Sequence, residues 1–238
     1  MEKNVFLELE YLGTNYFGFQ MQNKIGKKEV SVQETLEKAL KKLFRKKIRV
    51  TYSSRTDKGV HARAAAVNFK VDTKIPFENI KRALNTFLPS DIRVKKVKKV
   101  PLDFHSRFWA KSKVYRYIIH CAKEPSVFWR DFSWHIAEPL DLAKMNKAAI
   151  KLIGRRDFSS FAKEAKNYKD CKREMKSIVI KKKPNFIYID IEADGFLRNM
   201  ARNIISFLVK KGSKRFKIPH NNHPAPPQGL YLLKVKYV

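Results

Sequence analysis

One order of secondary-structure elements is predicted twice along the chain, and this repeat most limits the possible folds. In residues 1–105, VFLELEYL alternates as a strand does. Ser31 and Glu34 have capping-box spacing, and an apolar stripe at helical spacing follows them. Two strands, a second helix and a closing strand come next: IRVTYS, AAVNFKV, FENIKRALNTFL and IRVKKVKKV. The predicted order is β-α-β-β-α-β.

Residues 106–238 repeat that order by pattern and not by sequence identity. The predicted elements are the strand KVYRYIIHC, the helix LDLAKMNKAAIKLIG, the hairpin SIVIKKKPNFIYIDIEA, a helix starting near Phe196 and the strand GLYLLKVKYV. The hairpin should turn around Lys183-Pro184-Asn185. We therefore predict an α+β fold of two ferredoxin-like halves, 1–105 and 106–238, whose antiparallel sheets flank a central basic cleft. The Pro-rich stretch 213–228 is predicted to be an ordered loop or a mobile arm.

The charge balance indicates a polyanionic partner. The chain has 52 Lys and Arg residues against 22 Asp and Glu residues, which gives a formal net charge of +30. Surface adaptation to heat also enriches Lys, but it usually enriches Glu as well. Positive charge spread along a chain that has enough apolar residues for a core is typical of a nucleic-acid-binding protein.

The two cysteines, Cys121 and Cys171, are too few and too far apart for a disulfide framework or a CxxC site. The N-terminal stretch MEKNVFLELEY has no uninterrupted apolar segment of the kind found in signal peptides. No stretch approaches the ~20 apolar residues of a membrane span. These features predict a cytoplasmic protein with reduced thiols and no membrane association.

Cofactor and metal chemistry find little support in the residues. The glycine patterns of the phosphate-binding loop and of the dinucleotide-binding fold are absent from the sequence. His220 and His223 are three residues apart, but they lie in a basic loop without a nearby carboxylate or Cys. A metal nuclease needs several converging acids, and the stretch around Asp57 supplies one. We expect neither a cofactor nor a metal.

Three side chains remain as candidates, and each also has an ordinary structural interpretation. Asp57 lies in the stretch SSRTDKGVHA, where Asp-x-Gly is also common turn chemistry. Arg202 is either an arginine that extends along the surface or a partner that keeps a carboxylate ionised. Tyr115 is either a packing residue with a polar tip or a ring that stacks on a base.

Several motifs then carry a resemblance over nearly the whole chain. SRTDKGVHA resembles the G-R-T-D-x-G-V-H-A signature of the TruA family of tRNA pseudouridine synthases. LEYLGTNYFGFQMQN, DFHSRFWAKSKVYRYII, GRRDFSSFA, GFLRNMARNII and PPQGLYL resemble further family motifs in the same order. The chain departs from the pattern at Leu12, Ser54 and Lys58, and in a short link between the late helix and the last strand.

The resemblance implies a role for each candidate. Asp57 corresponds to the essential catalytic carboxylate, and Tyr115 to the tyrosine that stacks on the target uracil. Arg202 corresponds to the salt-bridge partner of that carboxylate, and Arg55 to the arginine that helps to extrude the nucleotide. Leu230 of the terminal G-L-Y-L motif is expected at the substrate. The implied enzyme is a cofactor-free isomerase and a homodimer that modifies uridines 38–40 of the tRNA anticodon arm.

Two questions stay open at the level of the sequence. Asp57 acts either as a nucleophile on the sugar or as a base that helps to form a glycal-like intermediate, and Tyr115 is a candidate base for the proton on C5 of uracil. The alternative functions are a non-catalytic RNA-binding or RNA-chaperone protein and, with less support, a metal-dependent RNA-processing enzyme.

Overall fold

A computed structural model describes residues 1–22, 30–214 and 223–237. The chain divides into two compact units, Met1–Lys111 with Leu232–Val238 and Ser112–Tyr231. Both units combine helices with antiparallel strand pairs, and the α+β class predicted from the sequence is confirmed. In the described ranges, no helix has the length and apolar character that crossing a membrane requires.

The first unit contains the elements β1 Glu2–Tyr11, α1 Val32–Phe44, β2 Thr51–Tyr52, β3 His61–Asp72, α2 Phe77–Phe87 and β4 Ile92–Val100. Strand β1 pairs antiparallel with β3 on one side and with β4 on the other. The short strand β2 lies beside β3, and the last strand, β10 Leu230–Lys236, also neighbours β3. This arrangement puts β1 in the interior of the sheet.

Period-two alternation explains how β1 and β3 bury one face under the helices. Val5, Leu7 and Leu9 of β1 have no exposed surface, and Phe69 of β3 contacts Phe44 of α1. The predicted start of α1 is confirmed, because the Ser31 side chain accepts a hydrogen bond from the Glu34 amide at 3.2 Å.

The second unit contains β5 Ser112–His120, β6 Trp134–His135, α3 Leu142–Ile150, β7 Gly154–Asp157, β8 Lys172–Lys183, β9 Phe186–Ala193 and α4 Met200–Gly212. Its strand order is β5-β9-β8-β7, and β6 pairs with β5. The predicted hairpin is confirmed. Its turn is formed by Pro184 and Asn185, and Asn185 has a φ of +58°.

The structure differs from the sequence predictions in four elements, which are α4, β2, β6 and β7. Helix α4 begins at Met200 and not near Phe196, because Asn199 has a φ of +62° that is incompatible with a helical turn. Strand β2 spans only Thr51–Tyr52, and the strands β6 and β7 were not predicted. The stretch 213–228 lies partly outside the described residues. Its described end forms a single turn of 3-10 helix at Pro227–Gly229.

Candidate active site

Asp57 is the first residue of a tight turn between β2 and β3. The Val60 amide donates a hydrogen bond to the Asp57 carbonyl at 3.1 Å. Gly59 has a φ of +78°, which a residue with a side chain adopts only with strain. Asp57 is half-buried, whereas Arg55 and Lys58 on either side are exposed. The turn therefore presents one carboxylate between two cations, and Arg55 and Asp57 share a single loop.

The residue before Asp57 is fixed from two directions. The Thr56 hydroxyl lies 2.8 Å from the phenol oxygen of Tyr11, and both side chains are buried. The Thr56 carbonyl accepts a hydrogen bond from the Phe19 amide at 3.1 Å. Because backbone and side chain of Thr56 are both held, the position of the Asp57 backbone is determined by the core of the first unit.

Two glycines of the stretch GTNYFGF allow the segment after β1 to approach this turn. A Cβ atom on Gly18, where φ is +85°, would lie 2.6 Å from the Thr56 carbonyl oxygen. A Cβ atom on Gly13 would lie 2.1 Å from the Val60 carbonyl oxygen. The Gly13 amide also donates to Nδ1 of His61, which is buried. His61 is thus a supporting residue, and the two sequence motifs meet at Asp57.

Lys58 contacts an aromatic ring on this same segment. Its ammonium nitrogen lies 4.8 Å from the centroid of Phe17, within the range of a cation–π interaction. Lys58 remains exposed. Its charge is therefore available to a polyanion beside Asp57.

Tyr115 lies on β5 in the second unit, opposite Ile191 of β9. The side chain is only 5% exposed, and its ring meets Phe196 edge to face with 5.0 Å between centroids. Phe196 belongs to the segment between β9 and α4, directly after Gly195. The ring is thus oriented by a second aromatic residue, which suits a fixed stacking surface better than a mobile one.

Arg202 forms hydrogen bonds with the segment that precedes β10. Its Nε donates to the Ala225 carbonyl at 2.6 Å, and the Ala225 amide donates to the Arg202 carbonyl at 3.2 Å. The side chain is half-buried on α4. A freely extending surface arginine would not make the Nε bond, so the Arg202 side chain is held in place at this point.

Tyr117 is a neighbour of Arg202 that the sequence analysis did not single out. Its hydroxyl donates to the Pro226 carbonyl at 2.8 Å. Burial raises the pKa of Tyr117 well above its usual value, and the positive charge of Arg202 opposes that rise. The sequence carried no local signal for this contact, because Tyr117 and Pro226 are 109 positions apart along the chain.

Leu230 is the first residue of β10, and its side chain is 4% exposed. Gly229 precedes it, and a Cβ atom there would lie 2.6 Å from the Tyr117 ring. Tyr115, Arg202 and Leu230 thus all belong to the second unit, whereas Arg55 and Asp57 belong to the first.

Side chains that commonly ligate metals are dispersed in the part of the chain that the structure describes. Across residues 1–22, 30–214 and 223–237, no three His, Cys, Asp or Glu side chains cluster in a way that could hold a metal ion. The His220–His223 pair cannot be assessed, since His220 lies outside the described residues.

Comparison with known proteins assigns the family. The family described as tRNA pseudouridine synthase matches residues 9–109 and 148–238, and the first of these ranges includes the Asp57 turn. The chain belongs to the tRNA pseudouridine synthase family. The resemblance seen in the motifs is thereby confirmed, and members of this family are isomerases that act on tRNA.

Similar proteins cover the whole chain. A protein named tRNA pseudouridine synthase A from Thermoanaerobacter sp. (strain X514) is 42% identical over 99% of this chain and 100% of its own length. Proteins of the same name from Clostridium kluyveri and Acetivibrio thermocellus are 38% and 36% identical over the same shares. The whole length of these relatives is therefore matched by this chain.

Proposed function

We propose that this tRNA pseudouridine synthase modifies uridines 38–40 of the anticodon arm and that Asp57 is its catalytic carboxylate. The observation that carries the proposal is the anchored turn, in which Tyr11 and Phe19 fix Thr56 and thereby the backbone of Asp57. A catalytic group has to be held in a productive geometry, and an anchored turn meets that requirement.

The reaction needs only the groups that the chain provides. The N1–C1′ bond of uridine breaks, the uracil turns, C5 bonds to C1′, the proton on C5 leaves, and N1 takes up a proton. The product is an isomer of the substrate, so the atoms balance without a group donor, an oxidant or a reductant. Asp57 acts either on C1′ as a nucleophile or as a base toward a glycal-like intermediate.

The other candidates have roles around this step. Tyr115 is proposed to stack on the target uracil and to accept the C5 proton, and its contact with Phe196 supports a fixed ring. Arg202 is proposed to pair with the Asp57 carboxylate and to keep it ionised, since a nearby positive charge favours the charged form. Its two bonds with Ala225 support a positioning role for α4.

Arg55 and Leu230 complete the proposed site. The target base has to leave its stack, which costs a few kcal/mol. Arg55, exposed on the Asp57 loop, is proposed to assist this extrusion. Leu230 is proposed to contact the substrate at the start of β10.

Architecture, assembly and compartment follow as proposals from the same resemblance. The element order and the β4-β1-β3 strand order support ferredoxin-like halves, 1–105 and 106–238. The basic cleft is proposed from the resemblance alone. The protein is proposed to be a homodimer whose subunits share a tRNA. Both cysteines, Cys121 and Cys171, are free thiols, which supports a cytoplasmic enzyme.

Position mapping tests the proposed target. An unmodified tRNA transcript with uridines at 38, 39 and 40 is incubated with the protein, derivatised with carbodiimide and copied by reverse transcriptase. Stops at these three positions, absent after incubation with Asp57→Asn, are expected. Stops elsewhere would overturn the anticodon-arm proposal. Binding without any stop would favour the non-catalytic RNA-binding alternative.

A further inference from the structure

An exposed aromatic residue, Phe108, stands on the loop that follows β4 in the first unit. It is 74% exposed, and Leu102 and Trp109 on the same loop are exposed as well. The Phe108 ring lies 4.1 Å from the His105 ring, centroid to centroid, at an angle of 30°. The Arg107 guanidinium lies 5.8 Å from the Phe108 centroid. This loop therefore exposes apolar surface next to the positive charge of Arg107.

The backbone of this loop is fixed by a buried polar network. The Asn4 side-chain amide donates to the carbonyls of Pro101 and Phe104, each at 2.9 Å. The Asn68 amide donates to the Asn4 oxygen at 3.0 Å, and the Asn68 oxygen accepts from the Ser106 amide at 2.9 Å and from the Ser106 hydroxyl. Asn4, Asn68 and Ser106 are all buried. The exposure of Phe108 is therefore a feature of an anchored loop.

A second anchor holds the loop through aromatic packing. The Phe104 ring contacts Phe6, Trp109 and Tyr237 at centroid distances of 5.9, 5.3 and 5.2 Å. The Tyr237 hydroxyl donates to the Ser106 carbonyl at 2.8 Å. Phe104 is buried in this cluster, while Phe108, four residues later, points out of it.

A pocket of about 400 Å³ adjoins the loop within the same unit. Its polar lining comes from Arg49, Thr51, Asn68, Lys70, Asp103 and His105. Arg49 is paired with Glu37 at 2.7 Å, and Lys70 is exposed. The volume falls within the ~300–1,000 Å³ of small-ligand sites, and it suits a nucleotide whose phosphate faces Lys70.

We propose that Phe108, Arg107, His105 and this pocket, together the Phe108 site, bind an unpaired nucleotide of the tRNA. A base stacks on Phe108, and phosphates contact Arg107 and Lys70. The proposal rests on tRNA being the substrate of the proposed function. RNA is favoured over a second copy of the chain because Arg107 and the exposed Lys70 place positive charge beside the exposed ring, and a polyanion complements that charge.

The Phe108 site is separate from the Asp57 turn. The turn precedes β3 at His61, whereas Asn68 and Lys70 lie near the other end of that strand. A strand rises ~3.3 Å per residue, which puts roughly 23 Å of strand between His61 and Asn68. The nucleotide bound there is therefore distinct from the target uridine.

Affinity measurements with the full-length protein test the proposal. Phe108→Ala should weaken binding of an unmodified tRNA transcript about 5- to 150-fold, the range for loss of one base–aromatic stack. Phe108→Trp should retain the affinity. Arg107→Ala should reduce the slope of log Kd against log salt concentration by the amount that one phosphate contact contributes, which is about one. The matched control is Phe128→Ala, which removes a ring that is 83% exposed in the second unit and should bind like the unchanged protein.

The outcomes separate this proposal from the catalytic one. With enzyme below its Kd, single-turnover conversion of tRNA should slow in Phe108→Ala in proportion to its weaker affinity, whereas Phe128→Ala should convert tRNA at the rate of the unchanged protein. Unchanged affinity in Phe108→Ala, or equal loss in Phe128→Ala, would overturn the Phe108 site. So would a change of assembly mass by light scattering without a change in affinity. Absence of pseudouridine from every reaction would count against the proposed function, and the affinity comparison would still decide the Phe108 site.

Discussion

The phenol oxygen of Tyr11 lies 2.8 Å from the hydroxyl oxygen of Thr56, and neither side chain is exposed. Tyr11 ends β1, and Thr56 directly precedes Asp57. This hydrogen bond ties the candidate catalytic loop to the central strand of the first unit. The geometry of Asp57 therefore depends on two buried residues of the first unit.

Removal of the Tyr11 hydroxyl should affect both stability and turnover. Tyr11→Phe leaves the buried Thr56 hydroxyl without this partner, and we expect the free energy of unfolding to fall by ~1 kcal/mol. Single-turnover pseudouridine formation should slow about tenfold as the turn loosens. Tyr16→Phe is the control, because the Tyr16 hydroxyl donates to Asp91 at 2.6 Å, away from Asp57. Equal turnover in the two variants would show that the bond has no role in positioning.

Two glycines with positive φ provide a matched pair of variants. Together they test the contact between the segment after β1 and the Asp57 turn. Gly18 has a φ of +85° and a Cβ there would meet the Thr56 carbonyl, whereas Gly154 has a φ of +93° and open space around it. Gly154→Ala should cost about 1–2 kcal/mol through backbone strain alone. Gly18→Ala should cost more, and it should lower activity. Urea denaturation and tRNA turnover check both variants, and equal costs would argue against the close approach.

A substitution of Tyr115 should separate tRNA binding from removal of the C5 proton. Tyr115→Phe keeps the ring and its edge-to-face contact with Phe196 but lacks the hydroxyl. We expect tRNA affinity within about twofold of the unchanged protein and turnover lowered by ~100-fold, the scale of general-base catalysis. Filter binding and product analysis measure the two quantities. Turnover at the original rate would limit Tyr115 to stacking.

The second unit should lose stability in acid through His120. Burial, followed by the nearby His135, lowers the pKa of His120 below its usual value of about 6.5. The unfolded chain therefore takes up this proton at a higher pH than the folded one. Stability is fully present above about pH 6.5 and declines as the pH falls toward the pKa of the folded state.

Chemical denaturation at about pH 7.5 and about pH 5.5 measures this effect. His120→Phe keeps a ring against Phe186, whose centroid lies 5.0 Å away, and has no titrating group. The loss of stability between the two pH values should be smaller in this variant. The same loss in both proteins would assign the acid sensitivity to other groups.

Local patterns predicted the elements well where propensity and packing agree. The start of α1 was predictable because Ser31 caps the helix in the way its sequence motif indicates. The start of α4 was not, because Leu197 continues the apolar stripe and is buried, although it lies outside the helix. A periodic apolar pattern indicates which residues are buried. It does not indicate that Asn199 has a left-handed backbone conformation, which keeps Leu197 outside the helix.

The candidate residues were predictable from the sequence motifs. The contacts that hold these residues in position were not. Gly13 and Gly18 lie about forty to fifty residues before the turn residues Val60 and Thr56 that they approach, and no spacing rule connects them. Their contact depends on how β1 and β3 pair in the sheet, which is a tertiary property. The anchoring of Arg202 by Ala225 depends in the same way on how the segment before β10 packs against α4.

Proton release from C5 of uridine tests the central claim most directly. A tRNA transcript with tritium at uridine C5 is mixed with the protein in the presence of EDTA, and tritium in water is counted. Release by the unchanged protein and none above background by Asp57→Ala, with tRNA binding retained, is the predicted result. Full release by Asp57→Ala, or no release by the unchanged protein from any tRNA, would contradict the account.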